Sequence, residues 1–521
     1  MIDVSLRIEQ SFALYHERTA VCLGGVRHSY GDLQRRVLAI QSLLESASAA
    51  DEPLIGLAAN DSLDTYAAVL AILRAGRAFV PINLQHPAQR NASILGQAGV
   101  RTVLLPVAEA PETARGGIPP GIRLVPTQGD SSAIAGPAAL RAPGDLAYLL
   151  FTSGSTGQPK GVPITRGNLS AFLDSLAASG HGVATADRVL QMFDLTFDFS
   201  IASYLAPLSV GASIYPLAPG GAKFAEVYRL LEAEHLTVAP LVPSVLTYLR
   251  PYFADILLPD LRLTMLCGEA LFADIATEWM KCAPGSRIAN FYGPTEATVF
   301  AMVYDWNPAA GHDKAFNGVV SIGRPMPLNA AVVVDASSQP VAIGEKGELC
   351  LGGPQVTPGY WQDPPRNAGA FFERRDGGEI RRYYRTGDIV SADVDGDHYF
   401  CGRVGNQVKL QGFRVELGEI EYHAREVARG CECVVLSRVN RSGGTELSLI
   451  VENYSGDLKA VLAALRTRVP GYMMPARALS VARLPMNSNG KIDRVALRRT
   501  LDEHSDEVSR TSVGGTDAGI P

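Results

Sequence analysis

The densest chemistry in the chain lies in one short stretch, Phe151-Thr-Ser-Gly-Ser-Thr-Gly-Gln-Pro-Lys-Gly161. Glycines let backbone N–H groups turn toward an anion, Ser and Thr hydroxyls add donors, and Lys160 adds a positive charge. Thr152, Ser153, Gly154, Ser155, Thr156, Gly157 and Lys160 together can hold phosphate. The stretch is not a Walker A loop, which requires G-K-[ST] at its end, because here Gly157 is followed by Gln-Pro-Lys-Gly. It reads as a nucleotide site of another kind, with an ordinary Ser/Gly surface loop as the plain alternative.

The elements around this loop follow from apolar patterning. LAYLLF (146–151) is a short apolar run that stops at the loop, as a buried strand does. Leu169, Phe172, Leu173 and Leu176 then recur at helical spacing. Residues 330–335, 432–437 (ECVVLS) and 447–452 (LSLIVE) read as strands, and 459–469 (KAVLAALRTRV) as a helix. Alternating strands and helices make the fold class α/β, and the last hundred residues can form an α+β unit of their own. The expected division is a large domain over 1–402, a small domain over 406–500 and a disordered tail over 501–521, with the boundary near Gly402–Gln407. The Ala-, Pro- and Gly-rich stretch 106–144 reads as a long surface excursion. No internal repeat is visible.

Further segments stand in a fixed order along the chain: Tyr30-Gly-Asp-Leu33, Leu73 to Pro81 (LRAGRAFVP), Asn290-Phe-Tyr-Gly-Pro-Thr-Glu296, Gly347 to Pro354 with Gly359-Tyr-Trp361, Tyr384-Arg-Thr-Gly-Asp388, Gly402-Arg403 with Gln407 to Glu419, and Asn489 to Arg494 (NGKIDR). Together with the loop at 151–161 they resemble the motifs of the adenylate-forming superfamily, which includes peptide-synthetase adenylation domains, acyl-CoA ligases and luciferases. The resemblance runs from about residue 30 to 494. It implies a large N-terminal α/β domain and a small, mobile C-terminal domain carrying a catalytic lysine. It also implies ATP and Mg²⁺ as the nucleotide and metal.

Roles follow from the same resemblance. Tyr292 would stack on adenine, with Asn290, Gly293 and the Gly268-Glu269-Ala270 stretch forming the rest of the slot; alone, such a tyrosine reads as core. Thr295 would bond the α-phosphate and Glu296 would hold Mg²⁺, since a carboxylate beside a triphosphate needs a divalent cation between them. Asp388 would accept from both ribose hydroxyls, assisted by Arg403. Lys491 would bridge the two anions that meet when a carboxylate attacks the α-phosphate; outside the family frame, Asn-Gly-Lys is an ordinary exposed turn. The hinge position, usually Asp or Lys in the family, is Gly405 here.

Around Phe197-Asp198-Phe199-Ser200 the chain resembles the amino-acid-activating members. Asp198 would pair with the substrate ammonium, which justifies burying a carboxylate. Asp194, four residues earlier, is the competing register, and a helix cap is the plain reading of Asp198. The implied pocket is Asp198, Phe199, Ala202, Pro240, Met265, Cys267, Phe291, Val299 and Phe300, closed by Lys491. Three phenylalanines and a methionine favour a small, uncharged side chain, alanine first, although Ala202 could deepen the pocket. The run Leu266-Cys-Gly-Glu-Ala270 also resembles D-alanine:carrier-protein ligases. Competing functions are a carboxylic acid:CoA ligase and a non-catalytic nucleotide-binding protein.

Composition bounds these readings. The chain has 521 residues, 47% hydrophobic and 19% charged, with a formal net charge of -6, which disfavours nucleic acid as a partner. Its seven cysteines show no CxxC pair and fit reduced thiols in a cytoplasmic protein; Cys431 and Cys433 read as alternate positions of one strand. No leader pattern opens the sequence, and no apolar run approaches the roughly 20 residues of a membrane span. No carrier attachment site follows Arg494, so the expected partner is a separate carrier protein with a phosphopantetheine arm. Arg374, Arg375, Arg381 and Arg382, with Arg494, Arg498 and Arg499, would receive an acidic carrier or simply form a solvated face.

Overall fold

Stretches such as LIGLA and AFVPI are apolar at every position, so a strand there needs cover on both faces. Both are strands, Leu54–Ala58 and Ala78–Ile82, buried along their whole length and paired in parallel. A parallel pair needs a crossover, and the helix Leu63–Arg74 supplies it. The computed structural model describes all residues except 50, 107–116, 129–134, 155–157, 218–222, 377, 405–406, 440–444, 487–491, 495 and 499–521. The expected tail lies outside the described residues.

The chain packs as two compact units, Met1–Gly154 with Gln158–Val415, and the residues from Glu416 onward. Among the described residues, the large unit holds sheets of nine, six and five strands. The nine-stranded sheet runs Arg324–Pro325, Met302–Trp306, Arg287–Tyr292, Leu263–Leu266, Val238–Leu241, Arg188–Gln191, Ser213–Pro216, Thr19–Leu23, Val26–Ser29, and its central strands are parallel. The six-stranded sheet contains Leu146–Thr152, as the apolar run predicts, beside Lys160–Thr165. The five-stranded sheet is antiparallel and centres on Glu379–Ala392. In open parallel sheets ligands bind beyond the carboxyl ends of strands. Strands Leu146–Thr152, Leu263–Leu266 and Arg287–Tyr292 end there on the motif loops.

The motif segments Tyr30–Leu33 and Leu73–Pro81 are anchored by hydrogen bonds. Ser29 and Asp32 form a capping box at the start of helix Tyr30–Ala47, and the buried Tyr30 hydroxyl donates to the Ala212 carbonyl at 2.6 Å. The Leu73 carbonyl accepts from the buried Arg166 guanidinium at 2.5 Å. Helix Arg166–Leu176 carries Leu169, Phe172, Leu173 and Leu176 on its buried positions. In the second unit, Cys433–Val439 pairs antiparallel to Thr445–Glu452, which pairs in parallel with Arg477–Val481. Helices Leu417–Val427 and Leu458–Leu465 complete it.

Three expectations are corrected. The 106–144 stretch is not all surface: Arg123–Pro126 is an edge strand parallel to Thr102–Leu105, with Val125 buried. Cys431 lies before the strand that starts at Cys433, so the two do not share its faces. Residues 407–415, expected in the small domain, pack with the large unit, with the Phe413 ring 5.2 Å from Phe197.

The hairpin bearing Asp388 and Arg403 is stapled by charge. The Lys314 ammonium lies 2.7 Å from each of Asp393, Asp395 and Asp397, and Tyr399 donates to Asp393 at 2.7 Å. Burial pushes the Asp393 carboxyl up, but hydrogen bonds from Lys314 and Tyr399 outweigh it and bring it down to about 2. A carboxyl lowered by folding stabilises above its unfolded pKa, and that stability is lost as pH falls through the folded value. Lys314→Met is therefore expected to lower stability at neutral pH by about 1 kcal/mol, given the partial exposure of these groups. The deficit should fade between about pH 4 and about pH 2, which paired thermal melts will measure.

Candidate active site

Beyond the strand Arg287–Tyr292 the chain doubles back at Gly293, where a Cβ would come within 2.3 Å of the Val299 carbonyl oxygen. Only glycine fits that approach. The short turn Thr295–Ala297 then carries Glu296 inward, to 0% exposure. Its carboxylate accepts from the Tyr360 hydroxyl at 2.6 Å, from Arg414 Nη1 at 2.8 and 3.1 Å, and from Lys160 Nζ at 3.2 Å. Burial alone would raise this carboxyl, yet Arg414, Lys160 and the Tyr360 hydroxyl hold it well below the usual range. Two cations around one carboxylate leave a positive excess beside the phosphate loop. In that loop Thr152 Oγ1 is buried without a hydrogen-bond partner, and Ser153 Oγ donates to the Arg414 carbonyl at 2.6 Å. A Cβ on Gly154 would sit 2.1 Å from the Gln158 carbonyl oxygen, so the loop closes tightly there. Ser155, Thr156 and Gly157 lie outside the described residues.

Tyr292 and Asp388, read separately from sequence, meet: the phenol donates to Asp388 Oδ2 at 2.5 Å. Arg403, the cross-strand partner of Asp388, places Nη1 3.1 Å from Asp388 Oδ1 without hydrogen-bond alignment, and donates from Nη2 to the Thr386 carbonyl at 2.9 Å. Lys409 Nζ stands 5.3 Å above the Tyr292 ring. Two expected nucleotide residues direct their side chains to the scaffold instead. Asn290 donates to the Ser321 carbonyl at 2.9 Å, and Glu269 accepts from Ser244 N and Gly412 N at 2.9 and 3.2 Å. Gly268 lies at φ +91, where a Cβ would sit 3.1 Å from Gly412 Cα, while Ala270 is exposed.

Hydrogen bonding separates the two candidate aspartates. Asp194 accepts from Thr196 N and Thr196 Oγ1 at 2.8 and 2.7 Å, and from Asn83 Nδ2. Asp198 is 7% exposed and its Oδ2 has no partner. Burial pushes its carboxyl up to about 6, against a hydrogen bond from Thr295 and with Glu296 adding to the rise. The rings of Phe199 and Phe300 lie 5.0 Å apart, and Phe291 stacks on Phe300 at 4.5 Å. Phe193, absent from the sequence reading, stacks on Phe199 at 4.2 Å. Pro240 and Met265 are register partners on adjacent strands, and Ala202, Met265, Cys267 and Val299 are buried. Burial pushes the Cys267 thiol up to about 12, which keeps it protonated.

Tyr360, Arg414 and Lys409 were also not assigned individually, though each sits inside a quoted motif. A buried acid in a motif without a second carboxylate is the signal that such cations must lie nearby. Among the described residues no group of three or more His, Cys, Asp or Glu could hold a metal. Mg²⁺ fits Glu296 only as an ion that arrives with phosphate oxygens, the usual mode for this cation. Lys491 and Gly405 lie outside the described residues.

The raised Asp198 pKa has a measurable consequence. A carboxyl whose pKa rises on folding costs stability above the folded value, and the cost disappears below the unfolded one. Asp198→Asn is expected to stabilise the ligand-free protein near pH 7, by at most about 3 kcal/mol. The gain should shrink as pH falls from about 6 to about 4, as denaturant melts will show.

A family model described as AMP-binding enzyme matches residues 8–361. Tyrocidine synthase 3 of Brevibacillus parabrevis is 31% identical over 503 residues, which is 95% of this chain and 8% of that protein. Novobiocin biosynthesis protein H of Streptomyces niveus is 32% identical over 501 residues, covering 92% of this chain and 79% of its own length. The chain thus spans a small part of some relatives and most of another. A solved NRPS protein containing adenylation and PCP domains superposes with a TM-score of 0.82 at 26% identity, over 96% of this chain and 97% of that one. The Vibrio cholerae adenylation domain AlmE, in complex with glycyl-adenosine-5'-phosphate, shares the fold with a TM-score of 0.83 at 23% identity, over 96% and 98% of the two chains. The matched stretch contains the loop at 151–161, Asp198, and Glu296 with its partners Lys160 and Tyr360, and the chain belongs to the AMP-binding, adenylate-forming enzyme family.

Proposed function

We propose that this chain activates a small, uncharged amino acid, alanine-like, as its aminoacyl-AMP with release of pyrophosphate. The aminoacyl group then passes to the phosphopantetheine thiol of a carrier protein. The observation that carries the reading is Asp198: a buried carboxylate with one oxygen unpartnered among the described residues, next in sequence to Phe199, whose ring packs edge-on against the stacked pair Phe291 and Phe300. An ammonium is the partner that offsets such burial. A CoA ligase for plain carboxylic acids would have no use for it. The interlocked rings of Phe199, Phe291 and Phe300 support a short substrate side chain, because they fill space that a longer one would need. Thr152, Ser153, Lys160, Thr295 and Asp388 are the residues proposed to receive ATP, and Glu296 its Mg²⁺, which would neutralise phosphate charge. The carrier step is supported by the relative that combines adenylation and PCP domains. Arg494 is a poor candidate for carrier docking, since it donates to Glu421 at 2.6 Å and to the Val435 carbonyl at 2.8 Å.

An ATP–pyrophosphate exchange assay with a panel of amino acids in both enantiomers, and their desamino analogues, tests the proposal. Exchange with alanine-like substrates and none with propionate is expected; a preference for propionate would refute it. Phe300→Ala should admit longer side chains, and unchanged specificity would place the pocket elsewhere.

Lys491 is proposed as the catalytic cation and Gly405 as the hinge. Lys491→Ala should lower exchange by about 10²–10³ without loss of folding. Gly405→Pro fixes φ near about -65°, so it should keep exchange and lose carrier loading, each measured on the same preparation.

A further inference from the structure

Two adjacent residues of the loop after Glu296 sit in the left-handed region, Thr298 at φ 55 and Val299 at φ 70. Both are β-branched, for which positive φ is a genuine outlier. The Phe300 N–H bonds back to the Thr298 carbonyl at 3.0 Å, so Val299 is the centre of a γ-turn of the rare, strained hand. Strain of this kind persists only where the surroundings over-determine it.

Gln355 supplies that constraint. It is 0% exposed, and the two protons of its Nε2 are shared among three carbonyls of the loop, Ala297 at 3.2 Å, Thr298 at 3.2 Å and Phe300 at 2.6 Å. Its own main-chain carbonyl accepts from Thr298 Oγ1 at 2.6 Å. The amide is oriented from its other end, where Asn329 Nδ2 donates to Gln355 Oε1 at 2.7 Å. The flanking backbone is held too. Asn168 Nδ2 donates to the carbonyls of Pro354 and Val356 at 2.7 and 3.0 Å, and Thr357 N–H donates to the Glu296 carbonyl at 2.9 Å.

We propose that Gln355 is a positioning residue that holds the strained turn, and through it sets two things at once. Before the turn it places Glu296, on the phosphate side; after the turn it places Val299 and Phe300, on the side-chain pocket. The inference rests on the adenylation reading. Without the three bonds the turn relaxes toward negative φ, and both ends shift. A displacement near 1 Å from a distant change is enough to cost about 10²-fold in rate.

Gln355→Met keeps the length and removes the donors. In pyrophosphate exchange its kcat should fall about 10–100-fold, and its preference for small over longer amino acids should weaken. Thr298→Gly, added to that variant, should recover part of the kcat, because glycine takes φ 55 without strain. A residue that merely supports the fold would lower the melting temperature, leave kcat per active site and the side-chain ratio unchanged, and gain nothing from the glycine; that result overturns the proposal. Should Gln355→Met fail to accumulate folded, Asn329→Asp tests the same device from its partly exposed end. A carboxylate there cannot donate, so it draws the Gln355 amide round until Oε1 faces the three carbonyls. The same two defects are expected, and wild-type kcat with wild-type selectivity overturns the proposal. A wild-type protein with no exchange for any amino acid would overturn the adenylation reading and this inference together. Normal wild-type exchange with unaffected variants would overturn the inference alone.

Discussion

A carboxylate wholly removed from water has to be met by positive charge and donors, or its burial costs several kcal/mol. Glu296 imposes that requirement on the large unit. Lys160 comes from the strand after the phosphate loop, Tyr360 from the loop after strand Lys346–Gly352, and Arg414 from the segment that closes the unit. Each element has to run where its side chain reaches one point. The cluster therefore fixes the mouth of the phosphate loop, and its excess of positive charge suits a polyphosphate. Asp198 shows the opposite balance, since its carboxylate is buried and, among the described residues, its Oδ2 has no hydrogen-bond partner. One acid is over-compensated and the other under-compensated, which suits an anionic ligand at the first and a cationic group at the second.

Much of this was legible in the sequence because the motifs lie where strands end. The run 146–151 could be recognised as a strand because a doubly covered strand has no polar alternation. What escaped depended on contacts between distant segments. Arg123–Pro126 has one buried apolar side chain, and only its partner strand makes it a strand. The small domain was expected to start at 406, but residues 407–415 belong with the large unit because Phe413 meets Phe197 and Gly412 approaches Val242. Spacing could not choose between Asp194 and Asp198. Their hydrogen bonds differ: Asp194 accepts from Thr196 and from Asn83, more than a hundred positions away, while Asp198 Oδ2 has no hydrogen-bond partner among the described residues. Gln355 was invisible for the same reason: its importance lies in three carbonyls some 55–58 residues earlier.

The order of strands in the nine-stranded sheet also bears on how the protein comes into being. Thr19–Leu23 pairs in parallel with Ser213–Pro216, with Val21 opposite Ile214. During synthesis the first strand must therefore wait for roughly 190 further residues, about 10–40 s at ribosomal speed. Parallel pairing across such separations is slow to form and leaves apolar edges open meanwhile. Throughout that interval Ala20 and Val21, both fully buried in the finished sheet, have no native partner strand on one side. The antiparallel strand Val26–Ser29, joined by a turn at Gly24-Gly25, is the one neighbour available at once. That hairpin gives the nascent chain a cover for one side of its earliest strand before its permanent neighbour is translated.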